Sequence, residues 1–137
     1  MKAHGTCLCG SVKLDVEYDS CEIAACHCSM CSTWNGGPML AIDCADNVTI
    51  NNEESVTRYA SSEWAERGFC SKCGTHLFYY LLPANQYHVP VGLLDHKDQL
   101  TFSHQIFIDE KPSYYEFKNK TVNMTGAEVF AHFEQQD

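Results

Sequence analysis

Cys7-Leu8-Cys9-Gly10-Ser11-Val12-Lys13-Leu14-Asp15-Val16-Glu17-Tyr18 sets a cysteine pair directly against a segment of strict alternation. Val12, Leu14, Val16 and Tyr18 fall on one side of an extended chain, and Ser11, Lys13, Asp15 and Glu17 on the other. A period of two marks a strand with one face buried. Further short segments read the same way. Residues 21–26 predict the next strand after a turn at Asp19-Ser20, followed by a cysteine-bearing loop that ends at Asn35-Gly36-Gly37-Pro38. Residues 39–42, 48–50 and 55–59 predict short strands, with turn chemistry at Asn51-Asn52-Glu53-Glu54. Gly68-Phe69 leads into another cysteine group, and residues 75–82, 87–93 and 101–108 predict further strands before a turn at Asp109-Glu110-Lys111-Pro112. One helix is expected. Thr125-Gly126-Ala127-Glu128 forms a capping box ahead of an apolar stripe of Val129, Phe130 and Phe133. The class is therefore mainly β with a short C-terminal helix. No repeat or shift in composition marks a boundary, so residues 1–137 read as a single domain.

Composition narrows the function. With 137 residues, 45% hydrophobic and 20% charged, the chain is globular in type and long enough to bury a core without staples. Nine Lys and Arg against 18 Asp and Glu give a net charge of −9. That balance argues against a general nucleic-acid binder, which needs a basic face, and against attraction to an anionic membrane. The apolar runs fall short of the roughly 18 residues of a membrane helix. Residues 1–9 lack the apolar core of a signal peptide. A cytoplasmic protein in a reducing compartment is expected.

In such a compartment nine cysteines point to metal or thiol chemistry rather than disulfides. Seven fall into three groups: Cys7-Leu8-Cys9-Gly10, Cys26-His27-Cys28-Ser29-Met30-Cys31, and Cys70-Ser71-Lys72-Cys73-Gly74. Cys7, Cys9, Cys70 and Cys73 supply the four thiolates of a closed tetrahedral structural zinc, and each pair ends in a glycine suited to a tight knuckle. The alternative is two pairs of core thiols. Cys26, Cys28 and Cys31 supply only three thiolates. With zinc they leave one open position, where an incoming thiol would be held as a nucleophilic thiolate. Other readings of this group stay open: closure by His27, Cys21, Cys44 or His76, or a metal-free reactive cysteine.

The sequence resembles the glutathione-dependent formaldehyde-activating enzyme family, which includes centromere protein V-like proteins. The resemblance is carried by Gly5-Thr6-Cys7-Leu8-Cys9-Gly10-Ser11-Val12, by Cys26-His27-Cys28-Ser29-Met30-Cys31, and by Phe69-Cys70-Ser71-Lys72-Cys73-Gly74-Thr75-His76-Leu77-Phe78. Val91-Gly92-Leu93-Leu94-Asp95 and His104-Gln105-Ile106-Phe107 are similar to its later segments. The resemblance implies a β-tent of two antiparallel sheets with zinc knuckles. It implies a structural zinc on Cys7, Cys9, Cys70 and Cys73, and a second, labile Zn2+ on Cys26, Cys28 and Cys31 as the catalytic group. The implied reaction is addition of glutathione to formaldehyde, giving S-hydroxymethylglutathione, by a carbon–sulfur lyase. The expected partners are a small thiol and a small aldehyde, and a homodimer is left open.

Secondary candidates carry less. Arg58, Arg67 and Lys72 could meet substrate carboxylates, but read more simply as solvated surface charges. Among His76, His88, His96 and His104, His76 has the best claim to deliver a proton because it follows a knuckle. Trp34, Tyr79 and Tyr80 read as sheet packing before pocket lining. Cys21 and Cys44 read as buried small hydrophobes. A β-tent resemblance also admits a non-catalytic zinc-stabilised binding module or a thiol carrier. The B-type methionine sulfoxide reductases are set aside, because they need a C-terminal cysteine and none follows Cys73.

Overall fold

The computed structural model describes residues 1–135. The chain forms two compact units interleaved in sequence: Met1–Cys21 with Ala41–Leu100, and Glu22–Leu40 with the chain from Thr101 onward.

The first unit carries two antiparallel ladders. In one, β2 (Lys13–Glu17) lies between β1 (Lys2–Thr6) and β5 (Val48–Asn51). Val12, Leu14, Val16 and Tyr18 are all buried, as the alternation predicts. β1 has no apolar signature because its inward residues, Ala3 and Gly5, are the smallest available. The second ladder runs β4 (Met39–Asp43), β9 (Gln86–Pro90), β8 (His76–Leu81), β7 (Ala65–Cys70) and β6 (Val56–Ala60). The β7–β8 register shifts between Gly68 and Phe69 and makes Leu77 the extra residue. The consecutive residues Leu77 and Phe78 are consequently both buried, which a regular pleat would not allow. β7 escapes a periodicity reading because an arginine and a glycine, Arg67 and Gly68, take buried positions in it.

The second unit holds β3 (Glu22–Cys26), α1 (Ser29–Asn35), β10 (Thr101–Ile106), β11 (Val122–Met124) and α2 (Gly126–Gln135). β10 lies between β3 and β11 and is parallel to both, so the antiparallel rule holds in the first unit and not here. Alternation along one strand does not encode the direction of its neighbour. β11 is too short and too exposed to show a period. α1 replaces the expected loop. It has one buried residue, Cys31, and a cysteine at its N-cap instead of a preferred Ser, Thr, Asp or Asn. Gly36 ends it at φ 74°, donating its amide to Ser32 O at 2.8 Å. In α2 the capping box is present. The Glu128 amide donates to Thr125 Oγ1 at 3.2 Å, and the Thr125 amide donates to Glu128 Oε1 at 3.0 Å. Of the apolar stripe, Val129 is buried, whereas Phe130 is 57% exposed and meets only one edge of Phe107, at 5.8 Å between ring centres.

The close approach of β7 and β8 gives a test. A Cβ on Gly68 would stand 2.2 Å from Cζ of Phe78, a buried ring that also packs against the Arg58 guanidinium at 4.8 Å and edge-on against Tyr87. A buried ring with these neighbours has little room to yield. Gly68→Ala is expected to destabilise the fold by about 1–3 kcal/mol in urea unfolding, the usual range for overpacking.

Candidate functional site

Each cysteine group is built by its own local backbone. Cys7 follows β1, and the Gly10 amide folds back to Cys7 O at 3.0 Å with Gly10 at φ 83°. Cys70 ends β7, and the Gly74 amide returns to Cys70 O at 2.8 Å with Gly74 at φ 78°. These are two matching knuckles, and the left-handed turn in each calls for glycine. The tertiary structure brings them together. The sulfurs of Cys7, Cys9, Cys70 and Cys73 all lie within 4.8 Å of one another. Cys7 Sγ is 3.6 Å from Cys9 Sγ, which is 3.8 Å from Cys70 Sγ. A tetrahedron with metal–sulfur distances near 2.3 Å has edges of about 3.8 Å, so the donor set and its spacing fit a metal ion.

The surroundings favour the thiolate at Cys9 and Cys73. The Val12 amide donates to Cys7 Sγ at 3.3 Å. Thr75 Oγ1 lies 3.1 Å from Cys73 Sγ and also accepts the Leu8 amide at 3.1 Å, which ties the two knuckles together. The Thr75 hydroxyl, then the amides of Thr75 and Cys9, pull the Cys73 thiol down to about 5. The Ser11 hydroxyl and amide hold Cys9 below its ordinary value. Hydrogen bonds that stabilise a thiolate prepare it to ligate a cation.

The second group lies wholly in the second unit. Cys26 ends β3, Cys28 caps α1, and Cys31 is buried in its first turn. Their three sulfurs are within 4.8 Å of one another. Cys28 Sγ accepts the Cys31 amide at 3.3 Å. Crowding by Cys28 and Cys31, then burial, pushes the Cys26 thiol up. Like groups this close resist joint ionisation, and a bound cation would reverse that cost.

His27, between two of these cysteines, is fully buried and has both ring nitrogens engaged within the protein. Nδ1 is 2.7 Å from the Tyr115 hydroxyl and Nε2 is 2.8 Å from Gln105 Oε1. The Gln105 amide donates to Thr121 Oγ1 at 2.9 Å, and that hydroxyl donates to Asn123 Oδ1 at 2.5 Å. The acceptors assign the protons. Tyr115 donates to His27, His27 through Nε2 to Gln105, Gln105 to Thr121, and Thr121 to Asn123. Burial raises Tyr115 above the ordinary phenol range, which keeps its hydroxyl a donor. His27 is thus occupied in holding the backbone between Cys26 and Cys28. None of Gln105, Tyr115, Thr121 and Asn123 stands out in the sequence, although a glutamine at a buried position of a strand is a signal that polar partners must be near.

The other candidates are placed as follows. Arg67 is not a solvated charge, whereas Arg58 stays on the surface. Arg67 is 2% exposed with its guanidinium 4.9 Å over Tyr79, its cross-strand partner, and Arg58 bonds Glu53 at 3.1 Å while covering Phe78. A wide guanidinium packs on an aromatic face with little penalty, so charge alone misleads here. Lys72 is exposed. Tyr79 and Tyr80 pack across strands on His88 and Tyr87. Burial, then Arg67, lowers His76, and burial lowers His88. His96 is exposed, and His104 Nδ1 is 2.6 Å from Ser103 Oγ. Cys44 is buried, with its thiol pushed up to about 12 by burial and then by Asp43, as befits an inert core thiol. Cys21 is only half-buried, 3.7 Å from the Met1 sulfur.

Three similarities to known proteins stand beside this arrangement. The family described as glutathione-dependent formaldehyde-activating enzyme matches residues 2–110. An uncharacterized lyase of Schizosaccharomyces pombe is 37% identical over 126 residues, covering 91% of this chain and 92% of that protein. A Rhodobacter sphaeroides protein of known crystal structure superposes with a TM-score of 0.59 at 25% identity, covering 68% of this chain and 88% of that one.

Two substitutions test the two sulfur groups separately. Cys70→Ser is expected to lose one equivalent of tightly held metal by elemental analysis, with a clear fall in melting temperature. Tyr115→Phe keeps the ring but removes the donor to His27. It is expected to speed metal loss from Cys26, Cys28 and Cys31 to a chelator roughly tenfold, with the four-cysteine group unaffected.

Proposed function

The chain belongs to the glutathione-dependent formaldehyde-activating enzyme family, and from that premise we propose that it adds a small thiol, glutathione or a near relative, to formaldehyde or a similar small aldehyde. The carrying observation is the set of three sulfurs at Cys26, Cys28 and Cys31, with the intervening His27 ring bonded elsewhere. In this reading Cys7, Cys9, Cys70 and Cys73 hold a structural zinc, and Cys26, Cys28 and Cys31 hold a second zinc with one position open to a guest. That ion would supply deprotonation of the guest thiol near neutral pH. The four-sulfur group has no open position, so it pins the fold and does no chemistry.

The residues around the second group would do the rest. Cys31 is buried and anchors the set from inside α1, while Cys26 and Cys28 are partly exposed and leave a side from which a guest can enter. The Cys31 amide on Cys28 Sγ and the His27 chain keep the sulfurs from swinging away when one position is vacated. The guest sulfur attacks the aldehyde carbon, a carbon–sulfur bond forms, and the carbonyl pair moves to oxygen. That oxygen takes a proton from solvent and yields the hydroxymethyl thioether. Run backwards, the same step is a carbon–sulfur lyase reaction. The nine free cysteines suit a reducing cytoplasmic setting, and no helix among the described residues is long and apolar enough to cross a membrane.

A thiol of ordinary pKa near 8.5 is only a few per cent ionised at pH 7, so complete deprotonation is worth roughly 30-fold in nucleophile. Cys28→Ser is expected to lower the rate of S-hydroxymethylglutathione formation, followed by proton NMR, by at least that factor while the tightly held metal stays. A wild-type rate from this variant would end the reading.

A further inference from the structure

The second unit contains a cavity of about 430 Å3, within the range of small-ligand sites. Its walls include Gln105, Lys111, Glu116, Asn119, Lys120 and Asn123. Two lysines and one carboxylate give this wall a positive balance in a chain of net charge −9. Lys111 is committed to its own loop. Its Nζ donates to Pro112 O at 2.9 Å and to Tyr115 O, and it lies 4.7 Å from the centre of the Tyr115 ring. Lys120 and Glu116 are exposed and appear in no ion pair among the described residues. Gln105 links the cavity wall to the backbone that carries the three cysteines. That residue forms part of the wall, bonds His27 between Cys26 and Cys28, and precedes Ile106, the register partner of Cys26. The loop from Lys111 to Asn123 lies beyond the family-matched residues 2–110.

We infer that this cavity is the seat of a zwitterionic α-amino-acid end on the thiol substrate, with Lys120 and the Asn119 and Asn123 amides taking its carboxylate and Glu116 taking its ammonium group. The inference rests on the proposed thiol addition and goes further, because it names the chemistry by which the thiol is chosen. A cation and an anion in one small polar cavity match the two charges of an amino-acid head. A neutral thiol such as 2-mercaptoethanol has nothing to offer either group. The site also answers how an acidic protein could recruit an anionic peptide. The long-range field opposes it, while a local charge pair at short range selects it.

The test uses S-methylglutathione, whose sulfur is blocked, so that binding is read without chemistry. Titration calorimetry at low salt should show that the wild type binds it, and that Lys120→Glu and Glu116→Lys each weaken it roughly fivefold, in line with exposed but paired charges. N-acetyl-S-methylglutathione, which lacks the ammonium group, should bind the wild type more weakly and be indifferent to Glu116→Gln. The double exchange Lys120→Glu with Glu116→Lys should recover part of the affinity, and thermal unfolding of each variant checks that it is folded. No binding by the wild type, or equal binding by wild type and both charge reversals, overturns the inference. Formaldehyde addition to 2-mercaptoethanol separates the two readings. Turnover without dependence of probe binding on Lys120 and Glu116 leaves the reaction standing and removes the cavity. Dependent probe binding without turnover of any thiol does the reverse.

Discussion

Four sulfurs from the two ends of a long chain segment lie within 4.8 Å of one another, and a metal ion held by them would be the constraint that pins the first unit. Closing a loop from Cys9 to Cys70 removes conformational freedom that the unfolded chain would otherwise keep. By analogy with a cross-link of this length the effect is on the order of 4 kcal/mol. It is comparable to the whole net stability of many small domains. Thr75 receives the Leu8 amide and lies against the Cys73 sulfur, so one side chain both joins the two half-sites and favours the Cys73 thiolate.

The second group obeys a different logic. Its three cysteines lie within six positions, so little loop entropy is at stake and their assembly contributes little to the fold. Instead the fold constrains them. β3 delivers Cys26, a one-residue buried anchor at His27 turns the chain, and the first turn of α1 brings Cys31 back over Cys28. A group held by its surroundings can lose or exchange a ligand without collapse, which is what thiol exchange at a metal requires. A group that holds its surroundings cannot. The contrast between the two sulfur sets is therefore energetic.

Much of this was legible in local spacing. The alternation from Ser11 to Tyr18, the glycine after each cysteine pair and the Thr125–Glu128 box each act over a few residues, and each appears in the structure where the sequence places it. The features that escaped share a physical cause. β1 faces inward with Ala3 and Gly5, β7 with Arg67 and Gly68, and α1 with a single cysteine, so none carries a hydrophobic period. The reading of Arg67 as a surface charge failed for a related reason. Its guanidinium lies on Tyr79 and is stabilised by a neighbour on another strand, which charge counting along one strand does not see.

Short-range periodicity, and the few backbone shapes that glycine and cysteine spacing permit, were enough to reveal the strand-rich class, the capped helix, the grouping of the cysteines and the family. The folded chain was needed to show that the strands of the second unit run parallel, that His27 is bonded to Gln105 and Tyr115, 78 and 88 positions away, and that Gln105 also lines a polar cavity. Those facts depend on which distant residues share a neighbourhood. A buried polar group needs a partner, but the need does not say where along the chain that partner will be found.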